Sequence, residues 1–145
     1  MRPILSVIGS PQHATAQWLA TVLRPVSRKY SEYVVKDSFE FSRIMKELTT
    51  NDQNCHMCSF DIKSLFTSVP IEEAINTCAQ QLYHSDIECP SLSEKSFRKL
   101  MRIVTTGVEF SFNDIMFQQV DGVAMGSPLG PVLANIFVGS LNSDS

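Results

Sequence analysis

No run of apolar residues in this chain comes near the ~18–20 that a membrane-spanning helix needs, so no transmembrane segment is expected. A secretory leader is not expected either: Met1 to Ser10 holds only a short apolar run, and Pro3 interrupts it. The expectation is an intracellular protein with no membrane partner. Internal repeats and low-complexity tracts are absent, as is the Gly-Lys-Ser/Thr ending that would turn a glycine-rich loop into a P-loop. Cysteine is sparse, with only Cys55, Cys58, Cys78 and Cys89. Cys55-His56-Met57-Cys58 matches the CxxC spacing of zinc and redox sites. No second CxxC finishes a tetrahedral set, and the segment reads as a strand, where residues three apart face opposite sides. Cys78 falls on an apolar helical stripe. All four are read as reduced, structural cysteines.

What is present describes an ordinary globular chain: 145 residues, 43% hydrophobic and 19% charged, enough for one domain or part of one. The formal charge of −3 is unevenly spread. Residues 1–48 carry seven Lys and Arg against four Asp and Glu, whereas residues 49–145 carry five against eleven. A basic first part suits a phosphate backbone and an acidic second part suits metal. The same numbers also describe solvated helix faces.

Along the chain, Ser10-Pro11 is a helix start signal, followed by Ala14, Trp18, Leu19, Val22, Leu23 and Val26 at helical spacing. Arg24-Pro25 is expected to end or kink that helix. Ser38 is the expected cap of a second helix with Phe41, Ile44, Met45 and Leu48 on one face. Cys55 to Phe60 reads as a short buried strand ending at Asp61. Pro70 opens a helix buried through Ile71, Ala74, Ile75, Cys78 and Leu82, and His84 to Ser91 is a loop. Ser93 starts a further helix with Phe97, Leu100, Met101 and Val104 inward. Phe110-Ser111-Phe112 and Ile115-Met116-Phe117 flank Asn113-Asp114 as a hairpin, although glycine would tolerate the turn's positive φ better than Asp114. A glycine-rich turn from Gly122 to Gly130 precedes a helix buried through Val132, Leu133, Ile136 and Phe137. The irregular mixture of strands and helices predicts the α+β class.

Two segments carry possible chemistry. Ser59-Phe60-Asp61-Ile62-Lys63-Ser64-Leu65-Phe66-Thr67-Ser68-Val69-Pro70 puts a carboxylate at the end of an apolar strand, where burial is expensive unless something positive faces it. Magnesium takes oxygen ligands and often needs only one or two carboxylates plus substrate phosphates. A strand-end cap has the same pattern. Gln118-Gln119-Val120-Asp121-Gly122-Val123-Ala124-Met125-Gly126-Ser127-Pro128-Leu129-Gly130-Pro131 packs glycine and proline directly before an apolar helix. Glycine lets a backbone approach a base or a phosphate closely, and it also simply turns a chain.

Taken together and in this order, the two segments resemble the reverse transcriptase domain of Penelope-like retroelements. In that family a "SFDxxSLFTxVP" block forms the strand carrying the first catalytic aspartate. A "DGVAMGSPLxPxLANIF" block forms the turn and helix beneath primer and incoming nucleotide. Arg2-Pro3-Ile4, Ile8-Gly9-Ser10-Pro11 and Trp18-Leu19-Ala20 resemble the fingers region, so the resemblance runs from Met1 to Val138. It implies that Asp61 is catalytic and binds Mg²⁺, with the Ile62 carbonyl as a further ligand. It implies that Phe66 packs under the nucleotide sugar and rejects a 2′-hydroxyl. Met125, Gly126 and Ser127 would line the nucleotide side of the turn, and Arg2 would lie nearest the triphosphate. Many reverse transcriptases have glutamine where Met125 falls. Asp121 is expected as a hairpin-end residue, and Leu65, Ile75, Val132, Leu133 and Ile136 as core.

The implied fold is a partial right-hand polymerase, with fingers over about residues 1–54, palm over 55–138 and a tail at 139–145 unlike the family. Implied partners are an RNA template, a DNA primer and deoxynucleoside triphosphates, with no stable protein partner. A nuclear location is expected for a retroelement enzyme. The family's next block, a strand and turn with a Tyr-x-Asp-Asp core that supplies the remaining carboxylates, does not occur in this sequence. Of the two Mg²⁺ ions of a complete enzyme, the second therefore has an incomplete site, and the chain is expected to be inactive as it stands. Apolar surface is expected to be exposed where further palm strands would pair. A non-catalytic nucleic-acid-binding remnant and a non-functional relic of a decayed element stay open as other readings.

Overall fold

A computed structural model describes residue 5 and residues 8–30, 34–47 and 58–143, with residues 142 and 143 described as helical backbone only. Periodicity and capping account for most of its elements. α1 (His13–Lys29) buries Ala16, Leu19, Ala20, Leu23 and Val26 at three- and four-residue spacing. α4 (Ile71–Tyr83) follows Pro70, carries Glu72 and Glu73 where its positive dipole end favours them, and buries Ala74, Ile75, Cys78, Ala79 and Leu82. α5 (Glu94–Thr105) is capped as expected by Ser93, whose Oγ accepts from the Ser96 amide at 3.3 Å. It buries Phe97, Met101, Val104 and Thr105. α6 (Gly130–Ser143) carries no charged side chain and buries Leu133, Ala134 and Ile136.

These four helices share one core, with α6 packed on α4, α1 and the one-turn helix α3 (Leu65–Ser68). A bidentate Arg102–Glu72 pair, at 2.7 and 2.8 Å, ties α5 to α4 across the surface and holds the Glu72 carboxyl below its usual range. Burial pushes the Cys78 thiol up to about 12, so it is a neutral apolar filler, as its stripe position predicts. Cys58, Cys78 and Cys89 are free thiols, and Cys55 lies outside the described residues. Helix α6 runs on past Val138 and sets Gly139 against Tyr30, where an added Cβ would fall 2.5 Å from the tyrosine's Cβ and Cγ.

The only sheet among the described residues is the antiparallel hairpin of β1 (Glu109–Phe112) and β2 (Ile115–Gln118). Phe110 pairs with Phe117 and Phe112 with Ile115. The turn residues Asn113 and Asp114 both have positive φ, 51° and 60°, the conformation that two-residue hairpins require and that Asx side chains tolerate. Helices with one small antiparallel sheet agree with the expected α+β class.

Four expectations need correction. Pro25 does not end α1: it lies on the solvent face, and the stripe through Leu23 and Val26 carries the helix on to Lys29. Ala14 and Trp18, which recur at helical spacing with the buried residues of α1, lie outside the buried stripe, Trp18 being 43% exposed. The helix begins at His13 rather than at Pro11, with the His13 amide donating to the Ser10 carbonyl. In α2 (Ser38–Glu47) the capping group is Asp37, whose Oδ1 accepts from the Glu40 amide at 2.8 Å, while Ser38 is already helical. α2 buries no residue and packs on no other described element, so Phe41, Ile44 and Met45 share a face without a partner among the described residues; Leu48 lies outside them.

The expected buried strand is also absent where it can be seen. Cys58, Ser59 and Phe60 form no ladder, and Phe60 is 96% exposed. A strand needs a neighbour to take its amides and carbonyls, and among the described residues no strand pairs with this segment. Residues 55–57 lie outside the described part. Large apolar residues left exposed include Ile8, Phe39, Phe60, Val120 and, at the hairpin tip, Phe112, Ile115 and Met116.

Among the described residues Phe97 is the largest fully buried side chain, and it meets Tyr83 edge-on, with ring centroids 5.7 Å apart. Phe97→Ala is expected to lower the unfolding free energy by about 3–5 kcal/mol, the usual cost of such a cavity. Urea denaturation followed by circular dichroism checks this. A loss under 1 kcal/mol, on the order of a surface change, would contradict the assigned core.

Candidate functional site

Two backbone segments far apart in sequence meet at Phe66. Ser64, at φ 59°, takes a left-handed conformation uncommon for a residue with a Cβ. Its carbonyl accepts from the Thr67 amide at 3.0 Å, the Ser68 amide at 3.1 Å and the Thr67 hydroxyl at 3.0 Å. The single turn of α3 is thus wound around one carbonyl, and buried Val69 then leads through Pro70 into α4. Asp61 and Ile62 stand just ahead of that turn, both exposed. Asp61 forms no ion pair or hydrogen bond among the described residues.

The glycine-rich segment closes over α3 from the other side. The Gln119 amide donates to the Val108 carbonyl at 2.9 Å, ending the hairpin, and the chain then reaches Gly122 at φ 72°. The Val123 amide donates to the Phe66 carbonyl at 2.7 Å. A Cβ on Gly122 would fall 2.5 Å from that same oxygen and would also overlap the Thr67 backbone, so only glycine fits this crossing. Further on, the Met125 carbonyl accepts from the Leu5 amide at 2.7 Å, and Gly126, at φ 108°, faces the Leu5 carbonyl so closely that a Cβ there would collide with it. Leu5, Val108 and Ala124 form a small second core with Phe110 against it. The Ser127 amide donates to the Ala124 carbonyl at 3.1 Å, and Ser127 Oγ accepts from the Leu129 amide at 3.4 Å, where α6 begins.

The sequence-based candidates are therefore distributed as follows. Phe66 is half-buried against the core, 3.8 Å by its Cδ1 from the position a Cβ on Gly130 would take. It is joined to the turn through Val123. Met125 is half-buried and Gly126 exposed, but Ser127 is buried and its hydroxyl serves the start of α6. Asp121 is exposed at the end of the hairpin, and its carbonyl accepts from the Gln119 side chain at 2.9 Å. Arg2 lies outside the described residues. Sequence reading missed the docking of Leu5 on Met125 and the left-handed Ser64. Gly126 hinted at the first, and nothing in the sequence marks the second.

No group of three His, Cys, Asp or Glu residues able to hold a metal occurs among the described residues. At the position the motif marks, the donor is one open carboxylate, Asp61. Such a group fits the magnesium shells that take one or two carboxylates and leave the rest to water and substrate phosphates. It fits as one ligand and does not make a centre by itself.

A family model described as Reverse transcriptase (RNA-dependent DNA polymerase) matches residues 1–144. No curated protein and no solved structure matches the chain.

The crossing at Gly122 makes a direct test. Gly9 also has positive φ, 84°, but an added Cβ there meets nothing within 4 Å. Gly9→Ala should cost only backbone strain of about 1–2 kcal/mol. Gly122→Ala should cost that plus about 1–3 kcal/mol for displaced backbone. Thermal melts of the two variants check the difference, and equal losses would mean that the crossing is not tight.

Proposed function

We propose, from the premise that this chain belongs to the reverse transcriptase (RNA-dependent DNA polymerase) family, that it is the portion of a Penelope-like retroelement's polymerase that carries the first catalytic carboxylate and the nucleotide-side turn. The observation that carries this reading is the bond from the Val123 amide to the Phe66 carbonyl. It joins, through backbone alone, the two segments whose motifs resemble that family.

In this reading residues 1–54 are fingers and 55–138 palm. Asp61, open to solvent ahead of α3, would hold Mg²⁺ with the Ile62 carbonyl, and the chemistry supplied there would be Lewis-acid assistance to templated nucleotidyl transfer from the primer 3′-hydroxyl with loss of pyrophosphate. The Phe66 ring is held between the core and the start of α6, so it is a rigid floor for a sugar rather than a mobile side chain. Met125 and Gly126 offer an apolar side chain and bare backbone to the nucleotide. Arg2 is the fingers residue for the triphosphate. The partners are RNA template, DNA primer and deoxynucleoside triphosphates, and the site of action is the nucleus.

The chain of 145 residues contains no Tyr-x-Asp-Asp, so one carboxylate is left to organise two ions. Expressed as it stands, it is expected not to extend a primer on a homopolymer RNA template with either Mg²⁺ or Mn²⁺. Extension that disappears in Asp61→Ala would overturn that expectation.

When the chain is continued through a family Tyr-x-Asp-Asp strand, activity allows a second test. Phe66→Ala should lower the ratio of deoxyribonucleotide to ribonucleotide use in kcat/KM by about 10-fold or more, the scale on which a pocket discriminates one small group. Because this is a ratio, partial unfolding of the variant does not affect it. An unchanged ratio would make Phe66 a core residue only.

A further inference from the structure

Three residues other than glycine have positive φ among the described residues: Ser64, Asn113 and Asp114. The last two form a hairpin turn that demands this conformation, and Asx side chains tolerate it. Ser64 has neither reason. It lies at φ 59° and ψ 44° with a Cβ to place, and its hydroxyl forms no capping bond to α3. Such a residue keeps its strain only where its surroundings leave it no other conformation. Here they bind it from every side. Its carbonyl holds Thr67 by amide and hydroxyl and Ser68 by amide. The Ser68 hydroxyl donates back to the Lys63 carbonyl at 3.4 Å. Across the turn, Thr67 Cα stands 2.4 Å from the position a Cβ on Gly122 would take, and the Val123 amide fixes the Phe66 carbonyl. Buried Val69 pins the exit from α3.

We propose that Ser64 is a positioning residue for sugar selection: its left-handed backbone, and not its hydroxyl, holds the Phe66 ring at the offset from Asp61 at which a ribose 2′-oxygen meets the ring. Ser64 is the one residue with positive φ between Asp61 and Phe66. Phe66 is therefore set from two directions, its carbonyl by the glycine-rich turn and its approach from Asp61 by Ser64. If Ser64 relaxed to an extended conformation, its carbonyl would swing away from Thr67 and Ser68, and α3 would lose the bonds that define it. Phe66 would then no longer follow Asp61 at a fixed offset. The core would stay, because half-buried Ser64 is not part of it. This role rests on the reading of Phe66 as a floor for the sugar, and it adds the residue that sets where the floor lies.

Substitutions at Ser64 separate backbone from hydroxyl. Glycine and asparagine accept a left-handed φ, whereas valine and threonine, branched at Cβ, resist it, and threonine keeps the hydroxyl. In the 145-residue chain, hydrogen exchange read by NMR follows the Thr67 and Ser68 amides, whose acceptor is the Ser64 carbonyl. Ser64→Gly and Ser64→Asn should leave their rates unchanged. Ser64→Val and Ser64→Thr should raise them about ten-fold or more, the scale of a lost left-handed conformation, while amides within α4 and α5 keep theirs. In the chain continued through a Tyr-x-Asp-Asp strand, the ratio of deoxyribonucleotide to ribonucleotide use in kcat/KM should fall about ten-fold in Ser64→Val and Ser64→Thr and stay in Ser64→Gly and Ser64→Asn. Ser64→Ala should fall between the two pairs, and it carries the comparison where a branched variant does not fold. A ratio that follows the hydroxyl, kept in Ser64→Thr and lost in Ser64→Gly, overturns the proposal. So does unchanged exchange in Ser64→Val, or faster exchange there with an unchanged ratio. Phe66→Ala tells the two ideas apart. If it lowers the ratio while Ser64→Val does not, the role of Ser64 alone fails. If it too leaves the ratio unchanged, the reading of Phe66 fails and this role with it.

Discussion

The hydrogen bond from the Val123 amide to the Phe66 carbonyl is the constraint on which the arrangement depends. It fixes the distance between α3 and the glycine-rich turn at the length of one main-chain contact, and Gly122 is what allows the approach. From that point α6 starts at a set position, and its uncharged surface then has somewhere to go: against α4, α1 and α3. Because the link is backbone to backbone, it does not depend on which side chains decorate either segment. Variation at Met125 or Lys63 can change chemistry without moving the frame.

Around that link, stabilisation is divided by environment. The interior is apolar side chains with Cys78 among them, kept neutral by burial. The ion pairs lie outside, where solvent screening leaves each worth little and their geometry matters more than their number. Arg102–Glu72 is bidentate and spans two helices, so it fixes the rotation of α5 against α4 more than it adds to stability. The open segment with Asp61 and the hairpin tip contribute little to the core, and both leave apolar residues in contact with water, as the face of α2 does.

Much of this was legible in the sequence, and the reason is periodicity. The stripes of α4 and α5, the cap at Ser93, the Asn113–Asp114 turn and the burial of Leu133 and Ile136 all follow from local pattern and capping chemistry. The misreadings share a cause: each depended on something outside the local window. Pro25 is tolerated because of where the far side of α1 is buried, which a proline rule does not consult. Trp18 recurs at helical spacing with the apolar residues of α1, but the stripe that α1 buries runs through Ala16 and Ala20 and leaves Trp18 outside it. The segment ending at Asp61 has a strand's composition, but a strand exists only with a partner, and composition does not supply one. At the candidate site, the motifs located Phe66 and the turn. The contact between them, and the role of Ser64 in turning the chain there, emerged only from the three-dimensional arrangement.

Pro25 also has a consequence for how α1 opens. Having no N–H, it leaves the Thr21 carbonyl without its usual helical donor, so the ladder of α1 is interrupted while its buried stripe is not. The last turn, after the interruption, is held by Val26 and by Tyr30, and Tyr30 in turn covers Gly139. Unwinding that turn lifts the tyrosine and exposes the end of α6 as well. Slow amide exchange at the end of α1 and around Gly139 should therefore rise and fall together, as one cooperative unit whose two parts lie at nearly opposite ends of the chain.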